Sequence, residues 1–207
     1  MSKKVRRRAG DHKFSIASID ADVEHISRAA RYLAGIPDGM ERAVLNAMRR
    51  AILEARTAGA RKVREVYAVK YGDILRSFCM TRRPSRNDLT GEITSRGSKL
   101  MINKFRYRPT HDTTGNRRRP VRVSVKKEGG LKPLGQAFVH EGKVFQRLGV
   151  PSYPIRPVYA LSIPELLNNV EVVKTVQGTM VNSTYKRLDH EIYRLLNGFE
   201  GHAKWRD

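Results

Sequence analysis

The stretch DGMERAVLNAMRRAILEARTAGARKVREVY, residues 38–67, decides how the fold is read. Ala43, Val44, Ala47, Met48, Ala51, Ile52 and Ala55 recur at three- and four-residue spacing, and Arg49, Arg50, Glu54, Arg56, Arg61 and Lys62 populate the other face. That period belongs to an amphipathic α-helix of about 28 residues with one stripe turned to a core. Gly59 costs about 1 kcal/mol within it and marks a bend or a close approach. A helix of this length in a chain of 207 residues is expected to cross a sheet or a subunit seam.

A second stripe lies near the end of the sequence. Val172, Val176, Met180, Thr184, Leu188, Ile192 and Leu195 predict a helix from Glu171 to Leu196, with Gly198 as its stop. Ahead of it, Ser162 with Glu165 three residues on forms a capping box, and Pro164 sits in the first turn of a short helix. Upstream, Asp20 is the N-cap of a helix carrying Val23, Ile26, Ala30 and Leu33, which Gly35 and Pro37 end. Residues 14–19 read as a short strand, and Tyr71–Phe78 as a short helix with Asp73 in its first turn.

The middle has a different character. Residues 79–160 hold all the prolines except Pro37 and Pro164, together with many β-branched and aromatic residues. Strands are predicted at 89–97, 99–108 and 121–128, a polar loop at 111–120, and a hairpin over 136–148 that turns at Glu141-Gly142. In the third strand Val121, Val123 and Val125 alternate with Arg122 and Ser124, which gives a half-buried strand with one wet basic face. Residues 152–161 are extended, because Pro154 and Pro157 exclude a helix interior and a central strand. Helices segregated from strands predict an α+β fold: an antiparallel sheet with long amphipathic helices packed on it, plus a flexible basic N-terminal arm. The expected organisation is an arm at 1–19, one domain at 20–198 and a loose C-terminal tail at 199–207.

Charge points to partners. Lys and Arg number 41 against 20 Asp and Glu, a net +21. Such a balance favours nucleic acid, an anionic surface or an acidic protein. It is concentrated in two places: six basic residues against Asp11 in 1–13, and nine against Asp112 in 104–127. The group expected to face DNA or an acidic neighbour is Arg117, Arg118, Arg119, Arg122, Lys126 and Lys127, with the arm residues Arg6, Arg7 and Arg8 next. Lys and Arg neutralise phosphate without reading sequence, so the contact is expected to be backbone-directed and non-specific.

The chemistry of catalysis finds little purchase. The six histidines are scattered, and no GxSxG, GxxxxGK[ST] or GxGxxG occurs. Gly129-Gly130 is followed by Pro133 and Gly135, so it reads as a tight turn and not as a phosphate cradle at a helix start. Asp20, Asp22 and Glu24 form an acidic helix start, which favours the helix dipole without any metal. His190 and Glu191, followed by Arg194, read as an intrahelical polar network. Cys79, the one cysteine, is expected to be a buried or half-buried structural thiol among Phe78, Met80 and Arg82. No enzyme, cofactor or metal is expected. No apolar run approaches the roughly 20 residues that span a bilayer, so no membrane partner is expected.

Three stretches carry a resemblance: VREVYAVKYGDILRSF (63–78), VRVSVKKEGGLKPLGQAFVHEGKVFQRLGVPSYPIRPVYALSIPELL (121–167) and RLDHEIYRLLNG (187–198). In order and spacing the chain resembles the minor tail protein Z family of tailed phages and prophages over roughly 40–198. The most specific parts are Ala-Phe-Val before a Gly turn and Val-Phe-x-Arg, and the Pro-Ile…Tyr…Ser-Ile-Pro run into a helix. The resemblance implies that 20–198 is a tail-completion domain in a non-catalytic virion protein. It would form a homo-oligomeric, commonly six-fold ring at the head-proximal end of the tail, against tail-tube, terminator or neck proteins and around the DNA path. It would be located in the virion, and in the host cytoplasm during assembly. Residues 1–37 have no counterpart in that pattern, and the loop 109–120 lies where family members vary, so Arg117–Arg119 are not carried over as family residues. The alternative reading of the charge is a stand-alone, non-specific nucleic-acid-binding protein.

Overall fold

A computed structural model describes residues 12–20, 23–113, 120–149 and 153–197. The arm with Arg6, Arg7 and Arg8, the triplet Arg117–Arg119, Asp22, the Gly198 stop and the 199–207 tail lie outside the described residues. In chain order the elements are β1 (His12–Asp20), α1 (Val23–Tyr32), α2 (Gly39–Val66), α3 (Tyr71–Ser77), β2 (Phe78–Arg82), β3 (Thr90–Gly97), β4 (Lys99–Met101), β5 (Arg106–Arg108) and β6 (Arg122–Ser124). They continue with β7 (Lys132–Pro133), β8 (Ala137–His140), β9 (Lys143–Arg147), β10 (Ile155–Pro157), β11 (Tyr159–Ser162), α4 (Ile163–Leu167) and α5 (Val170–Leu196). The fold is α+β. Among the described residues the strands divide into small sheets ordered β1-β3-β2, β10-β9-β8, β11-β4 and β5-β6-β7. The described residues group into two compact units, one from 12–14, 60–78, 95–113, 120–149 and 153–172, the other from 15–20, 23–59, 79–94 and 173–197.

In the second unit the alanine-rich stripe of α2 is buried as its period requires: Ala43, Val44, Ala47, Met48, Ala51, Ile52 and Ala55 are all in the core. Polar residues of α2 outside that stripe reach α5. Asn46 Nδ2 donates to Glu191 Oε2 at 3.3 Å, and Ser183 Oγ to Glu54 Oε2 at 2.6 Å, so the two helices run antiparallel. From α5, Val176, Met180, Leu188 and Ile192 enter this core, whereas Thr184 and Leu195 are half-buried. Arg194 pairs with the buried Glu191 at 2.5 Å, an i,i+3 bridge, while His190 is exposed. Ile16, Ala17 and Ile19 of β1 and Ile93 of β3 are also buried. Cys79 is exposed, contrary to the buried or half-buried thiol expected from its neighbours. The reason is the strand period: Phe78 and Met80 take one face of β2 and are half-buried, so Cys79 between them alternates to the open face.

The first unit is built around Ile102, Val121, Val123, Val139 and Val144, with Tyr107, Val125, Leu134, Ala137, Val158 and Ala160 packed against them. The β8–β9 hairpin turns at Glu141 and Gly142, which have φ of 48° and 69°. Two positive φ values between the paired His140 and Lys143 make the type I′ geometry that matches strand twist. Asn103 Nδ2 holds the turn by donating to the Gly142 carbonyl at 3.2 Å. The capping box at the start of α4 is closed: Ser162 N donates to Glu165 Oε2 at 2.6 Å and Glu165 N to Ser162 Oγ at 3.4 Å. Gly130 N bonds back to the Lys127 carbonyl at 3.5 Å, a turn as expected.

Two predicted strands are shorter than their patterns suggest. The 99–108 segment is broken by a 3₁₀ turn at Ile102–Lys104, closed by Phe105 N to the Ile102 carbonyl at 3.0 Å. Ile102 and Phe105 are both buried, and residues three apart cannot share one face of a strand, so the chain turns to bury both. The strand expected over 121–128 survives only as β6. Beyond it the backbone pairs instead with the end of α2 and the residues after it, through Ala68 N to the Val125 carbonyl and Lys127 N to the Val66 carbonyl, each 3.0 Å. Ser124, expected on the wet face, is buried and donates from Oγ to the Lys126 carbonyl at 2.7 Å. β10 takes the edge of its sheet, where Pro157 withholds no donor that a neighbour needs.

Candidate nucleic-acid interface

Between β5 and β6 the side chains divide between an apolar and a basic face. Antiparallel register sets Tyr107 opposite Val123 and Arg108 opposite Arg122. Side chains directly opposite leave the same face, and the faces alternate along each strand. Tyr107 and Val123 therefore join the apolar cluster, while Arg106, Arg108 and Arg122 emerge on the other side and are exposed. Tyr107 is further fixed by its hydroxyl, which donates to the Gly142 carbonyl at 3.4 Å.

Like charges directly opposite on a strand pair oppose the pairing. Among the described residues no carboxylate forms an ion pair with Arg106, Arg108 or Arg122; the bridges go to Lys62, Arg76, Arg82, Arg86, Arg187 and Arg194. The nearby Asp112 instead faces the His140 ring, Oδ2 to Nδ1 3.6 Å. Burial of the apolar face and the β6–β7 pairing hold this cationic edge together.

An open groove of about 360 Å³ lies at the same place, lined by Arg108, Pro109, Thr110, His111, Pro120 and Arg122. Its polar side chains are two guanidinium groups, a hydroxyl and an imidazole, a set rich in donors. Thr113, just past one wall, is locked to β8: its N donates to the Val139 carbonyl at 3.0 Å, and its Oγ1 accepts from Val139 N at 2.9 Å.

Of the residues singled out from sequence, Arg122 lies in the groove. Lys126 and Lys127 are exposed but are not among the residues that line it, because beyond β6 the backbone pairs with the end of α2 and the residues after it. Arg117–Arg119 and Arg6–Arg8 lie outside the described residues. Sequence reasoning counted Arg106 and Arg108 as charge but did not select them. The signal was present: Arg-Tyr-Arg and Val-Arg-Val are complementary alternations, and pairing them in antiparallel register puts the arginines together. Among the described residues no group of three or more His, Cys, Asp or Glu comes together, and no helix is long and apolar enough to cross a membrane. Compared with known proteins, the chain matches no family model, no curated protein and no solved structure.

Proposed function

We propose that this chain is a non-catalytic structural protein of a phage virion. In this reading it completes the tail as a homo-oligomeric, six-fold ring at the head-proximal end, between tail-tube, terminator or neck proteins and around the DNA path. It reaches that position from the host cytoplasm during assembly. The observation that carries the reading is the cationic sheet face, where Arg108 stands opposite Arg122 without an acidic partner among the described residues. A face that opposes its own strand pairing gains from a polyanion. A surface lining a DNA path needs phosphate contacts that are salt-screened and indifferent to sequence, so that DNA still slides. The collinear motifs at 63–78, 121–167 and 187–198 supply the tail assignment.

The test is deletion of the coding sequence from the phage or prophage that carries it. Particles made without the chain are expected to lose plaque formation, and the wild-type chain supplied in trans restores it. Full infectivity without the chain overturns the proposal.

A further inference from the structure

We propose that the groove between Arg108 and Arg122 seats a backbone phosphodiester of nucleic acid, held between the two guanidinium groups with Thr110 and His111 at its rim. This rests on the reading of the β5–β6 face as the nucleic-acid-facing surface, and it names the contact. The register puts the two arginines directly opposite each other on one exposed face, with no other groups between them in the ladder. An anion between them turns a repulsion into two attractions. A guanidinium offers five donors in a planar fork and no acceptor, which matches phosphate oxygens bidentately.

The lining narrows the ligand. Arg108, Thr110, His111 and Arg122 bring side-chain donors, while Pro109 and Pro120 bring rigid walls without N–H groups. Among the described residues no carboxylate lines the groove, so nothing there offers a cation a ligand. The groove is open and holds about 360 Å³, so a phosphate that is part of a longer chain can enter it. Both cations are arginines on paired strands, not lysines on a loop, so the ladder fixes where the two side chains start and the face they leave from. The exposed Lys126 and Lys127 have no such fixed geometry toward the groove and act, if at all, as diffuse charge.

The experiment is fluorescence polarisation of a labelled duplex DNA titrated with the full chain over a range of NaCl concentrations. Arg108→Gln, Arg122→Gln, the double variant and Arg122→Lys are compared with Lys174→Gln, a change of equal charge at an exposed position of α5. Each single arginine loss is expected to weaken binding about tenfold at low salt and to flatten the log K against log[salt] slope by about one. The double variant is expected to lose little more than either single one, because both arginines hold one phosphate. Arg122→Lys keeps the slope but loses part of the affinity, since charge remains and the fork does not. Melting temperatures at or above wild type show that the three glutamine variants fold, as each removes like charge from the ladder, and Arg122→Lys is expected to melt with the wild type.

If the arginine variants bind like Lys174→Gln, the groove assignment is wrong, while duplex binding by the wild type leaves the polyanion-facing surface standing. Strictly additive losses in the double variant overturn the shared phosphate. If the wild-type chain does not bind duplex at any salt concentration, the groove and the nucleic-acid-facing surface fall together. The virion role is read separately, from infectivity.

Discussion

At Gly91 a side chain has no room: a Cβ there would lie 2.5 Å from Ile52 Cδ1, 3.3 Å from Pro84 Cγ and 3.4 Å from Ile19 Cγ2. Ile52 is 1% exposed and cannot swing into water. Gly91→Ala is therefore expected to lose about 1–3 kcal/mol in chemical denaturation, the usual cost of overpacking a core. Ile52→Val removes the offending Cδ1, so the double variant is expected to lose less than the sum of the two single ones; strict additivity would count against the contact. None of this is legible in order of residues, where Gly91 is one small position in a predicted strand. Cys79 and Arg108 teach the same lesson. Apolar neighbours argue for a buried thiol until the strand period turns it outward. An arginine reads as dispersed charge until register gives it a partner.

At the scale of elements, α2 and α5 are tied by more than apolar packing. Ser183 Oγ donates to Glu54 at 2.6 Å, and Arg187 donates to Glu54 Oε1 from Nε at 2.9 Å and from a terminal nitrogen at 2.5 Å. The Ser183 hydroxyl, and after it Arg187, hold the Glu54 carboxyl below the ordinary glutamate value of 4.5. A depressed folded pKa means that the unfolded chain takes up its proton first on acidification. The stabilisation is then fully present above pH 4.5 and is lost as pH falls through the folded value. Wild type is expected to lose more stability on acidification than Glu54→Gln, in denaturant midpoints measured across the acid range. Parallel profiles would show that the carboxylate does not contribute. Glu165, held low first by the Ser162 backbone N–H, keeps its own acid dependence in both proteins. The long helices were legible almost to the residue, 38–67 against Gly39–Val66 and 171–196 against Val170–Leu196, because a 3.6-residue period repeated over seven turns has no competitor. The strands were legible in place but not in extent. Their short periods cannot show that Ile102 and Phe105 must both be buried, or that residues 125–127 change partner. β2 and β7 carried no signal strong enough to predict.

For the whole molecule, the excess of +21 is the property that no element explains. Part of it is organised: in the first unit an exposed arginine face stands on one side of a sheet and the apolar cluster on the other. That division follows from alternation and register, and it is the physical basis of the proposed contact with a polyanion. What the charge serves depends on where the protein sits, which neither periodicity nor packing contains. The direct test of the tail-completion account is electron microscopy of the virion with a small label fused at residue 207. The account predicts label density in a ring at the head–tail junction, with six-fold symmetry about the DNA path. Label elsewhere in the particle, or particles that carry none, would contradict it and leave the arginine face to a nucleic-acid-binding protein that acts outside the virion.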